Sequence, residues 1–305
     1  MSKPIRIPMP KLGRLYQKAA LDAARSKISS GGSLKAFPEQ SVVAEHPGIT
    51  EDQAEQYRRL LAGEPFDGVH RRSLPSVLLH IAGFPVQMAL MSRDSFPLPL
   101  MGMVHLSNEV LHHQPVHTDT PLQILARAGN FAPHRRGTQV DIIIEIYPAG
   151  LDPASASSAD CLYSSTSQYL GMGTYLFSKD EGGASSREEF TPPTKTALWT
   201  LGTDAGRQYA AVSGDYNPIH LSGLTAKALG QKRAIVHGMY LAARMLEGRE
   251  PESAGHRWDI TFEAPVGLPG KVAFAAERVD ANTQQFTGWN PRKGRRHFAG
   301  QLTLP

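Results

Sequence analysis

The stretch AIVHGMYLAARML, Ala234–Leu246, is apolar around most of a helical projection. A surface helix keeps a polar face, so a helix that is apolar on nearly every side has to be covered on nearly every side. The residues that follow are strand-like: HRWDITFEAPV (256–266), GKVAFAAERVD (270–280) and HFAGQLTL (297–304), separated by turn-rich links. Helices ahead of a run of hairpin-linked strands predict an α+β fold. One long apolar helix wrapped by a curved antiparallel sheet is the simplest way to bury it.

Working outward, the same plan occurs twice. PSVLLHIAGFPVQMALM, Pro75–Met91, is a second strongly apolar helix, with Pro85 expected to kink or break it. Strand-like runs follow it at 101–111, 121–131, 139–150 and 161–171. Each apolar helix is preceded by an amphipathic one. In ITEDQAEQYRRLLAG (49–63) Thr50 and Gln53 stand at capping-box positions, with Tyr57, Leu60 and Leu61 as the apolar stripe. In LGTDAGRQYAAVSG (201–214) Thr203 is the expected cap and Tyr209, Ala210 and Val212 the stripe. Both end in glycine, Gly63 and Gly214, followed by an acid, Glu64 and Asp215. Both halves also carry a basic loop, His134-Arg135-Arg136 and Arg292 to Arg296. The polar stretch from Ser178 to Thr196 reads as the linker. The expected organisation is a helical extension over 1–36, a first repeat over 37–180 and a second over 190–305.

The halves differ in the loop after the amphipathic helix. The second has SGDYNPIH, Ser213–His220, with Asp215, Asn217 and His220 in a compact D-x-N-P-x-H. The first has Glu64, Asp67 and His70 at other spacings and no Asn-Pro. Taken alone, Asp-x-Asn-Pro is ordinary turn chemistry. An acid and an imidazole brought to one side of a turn can also hold a water and move its protons. Gly238 stands at the start of the buried helix, where a backbone N–H aided by the helix dipole can polarise a carbonyl oxygen. Without a Cβ it would let a substrate come close. An acid–base pair facing an oxyanion donor suits addition of water β to a thioester carbonyl.

From Thr203 to Leu246 the sequence resembles the hydratase motif of MaoC-like acyl dehydratases, the (R)-specific enoyl-CoA hydratase group. Ser213, Gly214, Asp215, Asn217, Pro218, His220 and His237-Gly238 carry the resemblance. The first half is similar in layout to the degenerate repeat of two-domain members. The resemblance implies a double hot-dog fold, each long helix wrapped by an antiparallel sheet. It implies Asp215 and His220 as the catalytic pair, Asn217 positioning His220 or the water, and Gly238 N–H as the oxyanion donor. It implies a trans-2-enoyl or (R)-3-hydroxyacyl thioester substrate, on coenzyme A or an acyl carrier protein, and no cofactor beyond coenzyme A within the substrate. Ser213, Tyr216, His237 and Met239 are expected to bind substrate, and Phe84, Gln87 and Met88 of the first apolar helix to line the acyl tunnel. A hot-dog thioesterase is the alternative, and it would place an acid on the buried helix facing the carbonyl. A non-catalytic acyl-thioester-binding module is a third reading.

Composition bounds the rest. The 305 residues are 41% hydrophobic and 20% charged, enough for a substantial core. The net charge of +4 is mild, and no basic run is interleaved with aromatics as in a nucleic-acid-binding module. The single cysteine, Cys161, allows no disulfide within the chain and reads as a small buried hydrophobe. HHQPVH, His112 to His117, matches no metal-ligand spacing and is expected in an exposed turn between strands; no metal is expected. The first 20 residues contain no apolar segment of signal-peptide length, and no apolar run reaches membrane-spanning length. The expected location is the cytoplasm and the expected assembly a homodimer.

Overall fold

The computed structural model describes residues 3–26, 41–62, 72–153, 155–178, 181 and 189–305, with the side chains of 20–26 left aside. The chain forms two compact units, each assembled from non-contiguous segments. Unit 1 comprises 1–48, 82–106 and 120–186; unit 2 comprises 49–81, 107–119 and 187–305.

In unit 1, β1 (Ile5–Arg6) pairs in parallel with β2 (Ser41–His46), and α1 (Leu12–Ser26) lies between them in sequence. The sheet continues antiparallel from β2 to β4 (Leu122–His134), β5 (Gly137–Pro148) and β6 (Tyr163–Met172). Strand β5 shows why: Val140, Ile142, Ile144 and Ile146 alternate with Asp141, Ile143 and Glu145, and only the first set is buried. Each such side chain contributes about 1.5–3 kcal/mol on burial. That face receives α3 (Ser76–Met91), of which residues 82–91 belong to unit 1. Gly83 makes the approach close, since a Cβ there would sit 3.0 Å from Ile144 Cγ2. Pro85 does not break α3, contrary to the sequence expectation. Burial of Ala82, Val86, Met88 and Leu90 around the helix outweighs one lost backbone bond. Cys161 packs with Val43, Leu125 and Tyr147, and burial pushes its thiol up to about 11.

In unit 2 the strand order is β3 (Met103–His112, from Ser107 on), β8 (His256–Phe262), β11 (Arg296–Thr303), β10 (Thr283–Trp289), β9 (Gly270–Arg278) and β7 (Ala197–Leu201), every pair antiparallel. The covering helix is α7 (Gly238–Leu246). A Cβ on Gly300 of β11 would meet Met245 Sδ at 2.7 Å, so glycine sets the helix–sheet distance here. The Trp199, Phe274 and Phe298 rings stack in the core, and the Arg244 guanidinium of α7 lies 5.2 Å from the Trp199 ring centre.

Two helices pack together beside α7: α2 (Glu51–Leu61) and α4 (Ala205–Ser213). The Thr50–Gln53 capping box is formed on α2. The left-handed residue ending that helix is Ala62, φ 47°, and Gly63 lies outside the described residues. On α4 the cap is Asp204, not Thr203, and its side chain makes no capping bond. Gly214 closes α4 with φ 71°, where a residue without Cβ is at ease. Two short helices, α5 (Pro218–Leu221) and α6 (Gly223–Ala228), lead back toward α7. The described residues include no helix long and apolar enough to cross a membrane.

Candidate active site

The D-x-N-P-x-H loop lies between α4 and α5 in unit 2, and its local order follows from its own polar groups. Ser213 Oγ accepts from Asp215 N at 3.2 Å, and Asp215 Oδ1 accepts from Asn217 N at 3.2 Å. Asn217 is the cap of α5, its Oδ1 accepting from Ile219 N, with Pro218 at the first helical position. Asn217 therefore caps the short helix that carries His220. Asn217 Oδ1 is engaged with Ile219 N at 3.4 Å. The Glu64, Asp67 and His70 loop of the first half lies outside the described residues.

His220 is buried and held from two sides. Its Nδ1 lies 2.8 Å from Ile235 O, and Ile235 N donates to Ile219 O at 3.1 Å. A carbonyl oxygen only accepts, so Nδ1 carries the proton and the lone pair of the neutral ring is on Nε2. Burial, with the neighbouring His237 adding to it and Asp215 opposing, pushes the imidazole down to about 3, so it is neutral at pH 7.

His237, the cap residue of α7, completes the cluster. Its ring stacks on that of His220 at 3.7 Å between centres and tilts against Tyr209 at 4.8 Å. Its Nε2 donates to Asp215 O at 2.9 Å and lies 3.7 Å from Asp215 Oδ2. Burial holds this ring below the ordinary histidine value as well, against the Asp215 charge. Ligand-type atoms of Asp215, His220 and His237 all fall within 4.8 Å of one another. The Asp215 side chain keeps 18% of its surface exposed, so water reaches the carboxylate beside two neutral imidazoles.

Gly238 is the first residue of α7, so its N–H has no partner within the helix. The place a Cβ would need is filled by the Phe262 ring, 2.9 Å away at the nearest atom. Glycine is thus required here by the protein's own packing. Among the other residues singled out by sequence, Ser213 and Met239 are buried and Tyr216 is exposed. Phe84, Gln87 and Met88 lie on the unit 1 part of α3, where Gln87 Nε2 donates to Tyr169 Oη at 2.6 Å.

Sequence reasoning missed two residues. Gly206 of α4 faces the His220 backbone, and a Cβ there would sit 2.0 Å from His220 O. The signal was a glycine inside a helical pattern, which marks close approach. His80, on the unit 2 part of α3, is buried and pushed down to about 4 by that burial, against the pull of the Asp215 charge. A lone histidine in an apolar helix gives no spacing to read.

The wrapped helices and the acid–histidine loop define a hot-dog protein of the acyl hydratase and dehydratase class. A model of the MaoC-like domain matches residues 187–294. The chain is 30% identical over 227 residues, 72% of its length, to 3-hydroxyacyl-thioester dehydratase X of Mycobacterium tuberculosis, covering 75% of that protein. It belongs to the MaoC-like dehydratase family. A crystal structure of HtdX from Mycobacterium tuberculosis superposes with a TM-score of 0.70 at 24% identity, over 86% of this chain and 98% of the other. A MaoC-like dehydratase from Phytophthora capsici superposes with a TM-score of 0.67 at 14% identity, over 90% and 98%. The expected α+β hot-dog fold is thereby borne out.

Proposed function

We propose that this protein is a hydro-lyase interconverting trans-2-enoyl and (R)-3-hydroxyacyl thioesters, with coenzyme A as the carrier, and that Asp215 and His220 do the proton work. One observation carries the reading: His220 Nδ1–H is committed to Ile235 O, which leaves the Nε2 lone pair as the base beside a solvent-reached carboxylate. In hydration, His220 Nε2 takes a proton from water as its oxygen bonds to Cβ, and Asp215 holds the water and stabilises the imidazolium. The Cα–Cβ double-bond electrons move toward the thioester carbonyl, whose oxygen is met by Gly238 N–H and the positive end of α7. The pair then returns the proton to Cα. Dehydration is the same path reversed. His237 holds the Asp215 carbonyl and stacks on His220, fixing both partners. Ser213 steadies the Asp215 turn.

The thioesterase reading requires an acid on a buried helix, and neither α3 nor α7 contains one. The test is hydration of crotonyl-CoA and of a longer trans-2-enoyl-CoA, followed as loss of the conjugated thioester absorbance, with wild type and Asp215→Asn. Turnover in the wild type that disappears in the variant supports the assignment. Equal turnover in both removes it, and release of free coenzyme A with no 3-hydroxyacyl product moves the protein to the thioesterases.

A further inference from the structure

Unit 2 holds a second group of one acid and two histidines, unused by the hydration chemistry. His112 ends β3 and His256 begins β8, and the two are directly paired across the antiparallel ladder. Directly opposed residues put their side chains on one face, and these rings lie 4.8 Å apart. Both are buried, at 3% and 2% exposure. The sequence reading had HHQPVH as an exposed turn; His113 to His117 do form a loop, but the strand continues through His112 and carries its ring inward. Glu250, from the loop after α7, brings a carboxylate to the pair, its Oε1 3.1 Å from His256 Nε2.

We propose that His112, Glu250 and His256 form a binding site for a divalent transition-metal ion, zinc in the first place. Ligand-type atoms of the three residues all fall within 4.8 Å of one another. Two imidazoles and a carboxylate are a donor set zinc accepts, with a position left for water. His256 Nδ1 has no hydrogen-bond partner although buried, so the ring has a nitrogen to spare whichever way it turns. The residues behind the donors fix them as outer contacts fix metal ligands. Glu250 Oε1 accepts from Ser76 N at 3.1 Å and from Ser76 Oγ, which accepts from Trp258 Nε1 at 2.6 Å. A pocket of about 80 Å³, lined by Tyr57, Arg58 and Glu247 besides the three donors, gives an ion entry and room for water. The Arg58 charge is shared with Glu51 and Glu55, which weakens its repulsion of a cation. The ion would tie two strand ends and the loop after α7 to the start of α3.

The experiment is equilibrium dialysis of the chelator-treated protein against zinc chloride, with bound metal measured directly. The same is done for His256→Asn, His112→Asn and His220→Asn, with circular dichroism to check that each is folded. The expected result is one zinc per chain, at least tenfold weaker binding in the His112 and His256 variants, and unchanged binding in His220→Asn. The melting temperature should rise with zinc in the wild type and in His220→Asn only. Stoichiometric binding that survives both the His112 and His256 substitutions overturns the proposal. So does zinc lost in His220→Asn, which would place the ion at the Asp215 cluster. A wild type that takes up no zinc leaves a hydrogen-bonded brace and overturns it too.

Discussion

Unit 2 contains two clusters of the same composition, one carboxylic acid and two histidines, and they are built in opposite ways. Asp215 is partly open to solvent and its Oδ1 takes a backbone N–H from its own loop. Glu250, with 13% of its side chain exposed against 18% for Asp215, is covered to a similar degree, but its Oε1 receives Ser76 N, Ser76 Oγ and His256 Nε2. Around Asp215 the histidines turn one N–H each to a backbone carbonyl, His220 to Ile235 O and His237 to Asp215 O. Around Glu250 the acid itself takes the histidine. The first arrangement suits proton exchange with water; the second gathers three segments around the acid and leaves His256 Nδ1 over for a metal ion. The difference lies in the acid's other partners.

The sharpest way to break this contrast is to neutralise each acid. Asp215→Asn should lower kcat/KM by about two to four orders of magnitude, the usual worth of an acid–base group, with a small change in melting temperature. Glu250→Gln should mainly cost stability, about 1–3 kcal/mol, because its donors lose a charged partner in a buried place. Turnover and thermal unfolding measured on both variants decide it. If the two lose turnover and stability in the same proportion, the clusters do not differ as argued.

The next effect concerns how His220 is placed. Gly206→Ala puts a methyl group 2.0 Å from His220 O, so α4 and α5 must move apart. Overpacking of this kind costs about 1–3 kcal/mol, and a displaced base can lose about a hundredfold in rate. The expected outcome is a lower kcat with KM little changed. A variant that melts lower and turns over normally would show that Gly206 serves packing alone.

Both clusters should share one response to acid. Burial holds His220 at about 3 and His80 and His112 at about 4, against an ordinary value near 6.5 in the unfolded chain. From pH 6.5 down to about 4 the unfolded chain binds these three protons and the folded one does not. Their contribution to stability is therefore full above pH 6.5 and falls as pH drops, by about 1.4 kcal/mol per pH unit for each histidine, while Glu247, pushed up to about 7 by burial, works in the opposite direction and offsets the share of about one of them. Denaturant unfolding from pH 7.5 to 4.5 measures the slope, and His220→Asn should reduce it by the share of one histidine. An unchanged slope would mean that His220 is protonated in the fold.

The sequence made the Asp215 cluster legible because most of its order is local. Ser213, Asp215, Asn217 and His220 organise one another within eight residues, and such spacing can be read. The capping box of α2 and the alternation of β5 were readable for the same reason. The Glu250 cluster was not, because His112 meets His256 by strand pairing and Glu250 meets Ser76 across 174 positions. His80, which feels the Asp215 charge, and Gly206, which lies against the His220 backbone, come near the Asp215 cluster through tertiary packing alone. Pro85 and Thr203 misled because local preference was overruled, in one case by burial around a continuous helix and in the other by a helix that starts one residue later.

Each cluster is also backed by a helix start, and the two starts differ. Thr50 caps α2, whose Tyr57 and Arg58 line the pocket beside Glu250. Its Oγ1 accepts from Gln53 N at 3.3 Å, and Gln53 Oε1 accepts from Thr50 N at 2.9 Å. Asp204 begins α4, whose Tyr209 touches His237, but its side chain caps no backbone N–H and instead accepts from Gln208 Nε2 at 2.9 Å. Thr50→Ala should cost about 1 kcal/mol, and Asp204→Ala, as an exposed side-chain pair, about 0.5 kcal/mol or less. Denaturant unfolding of the two variants checks the order. A larger loss at Asp204 would mean that the start of α4 is held by its carboxylate after all, and that the Asp215 cluster is braced from behind as firmly as the Glu250 cluster.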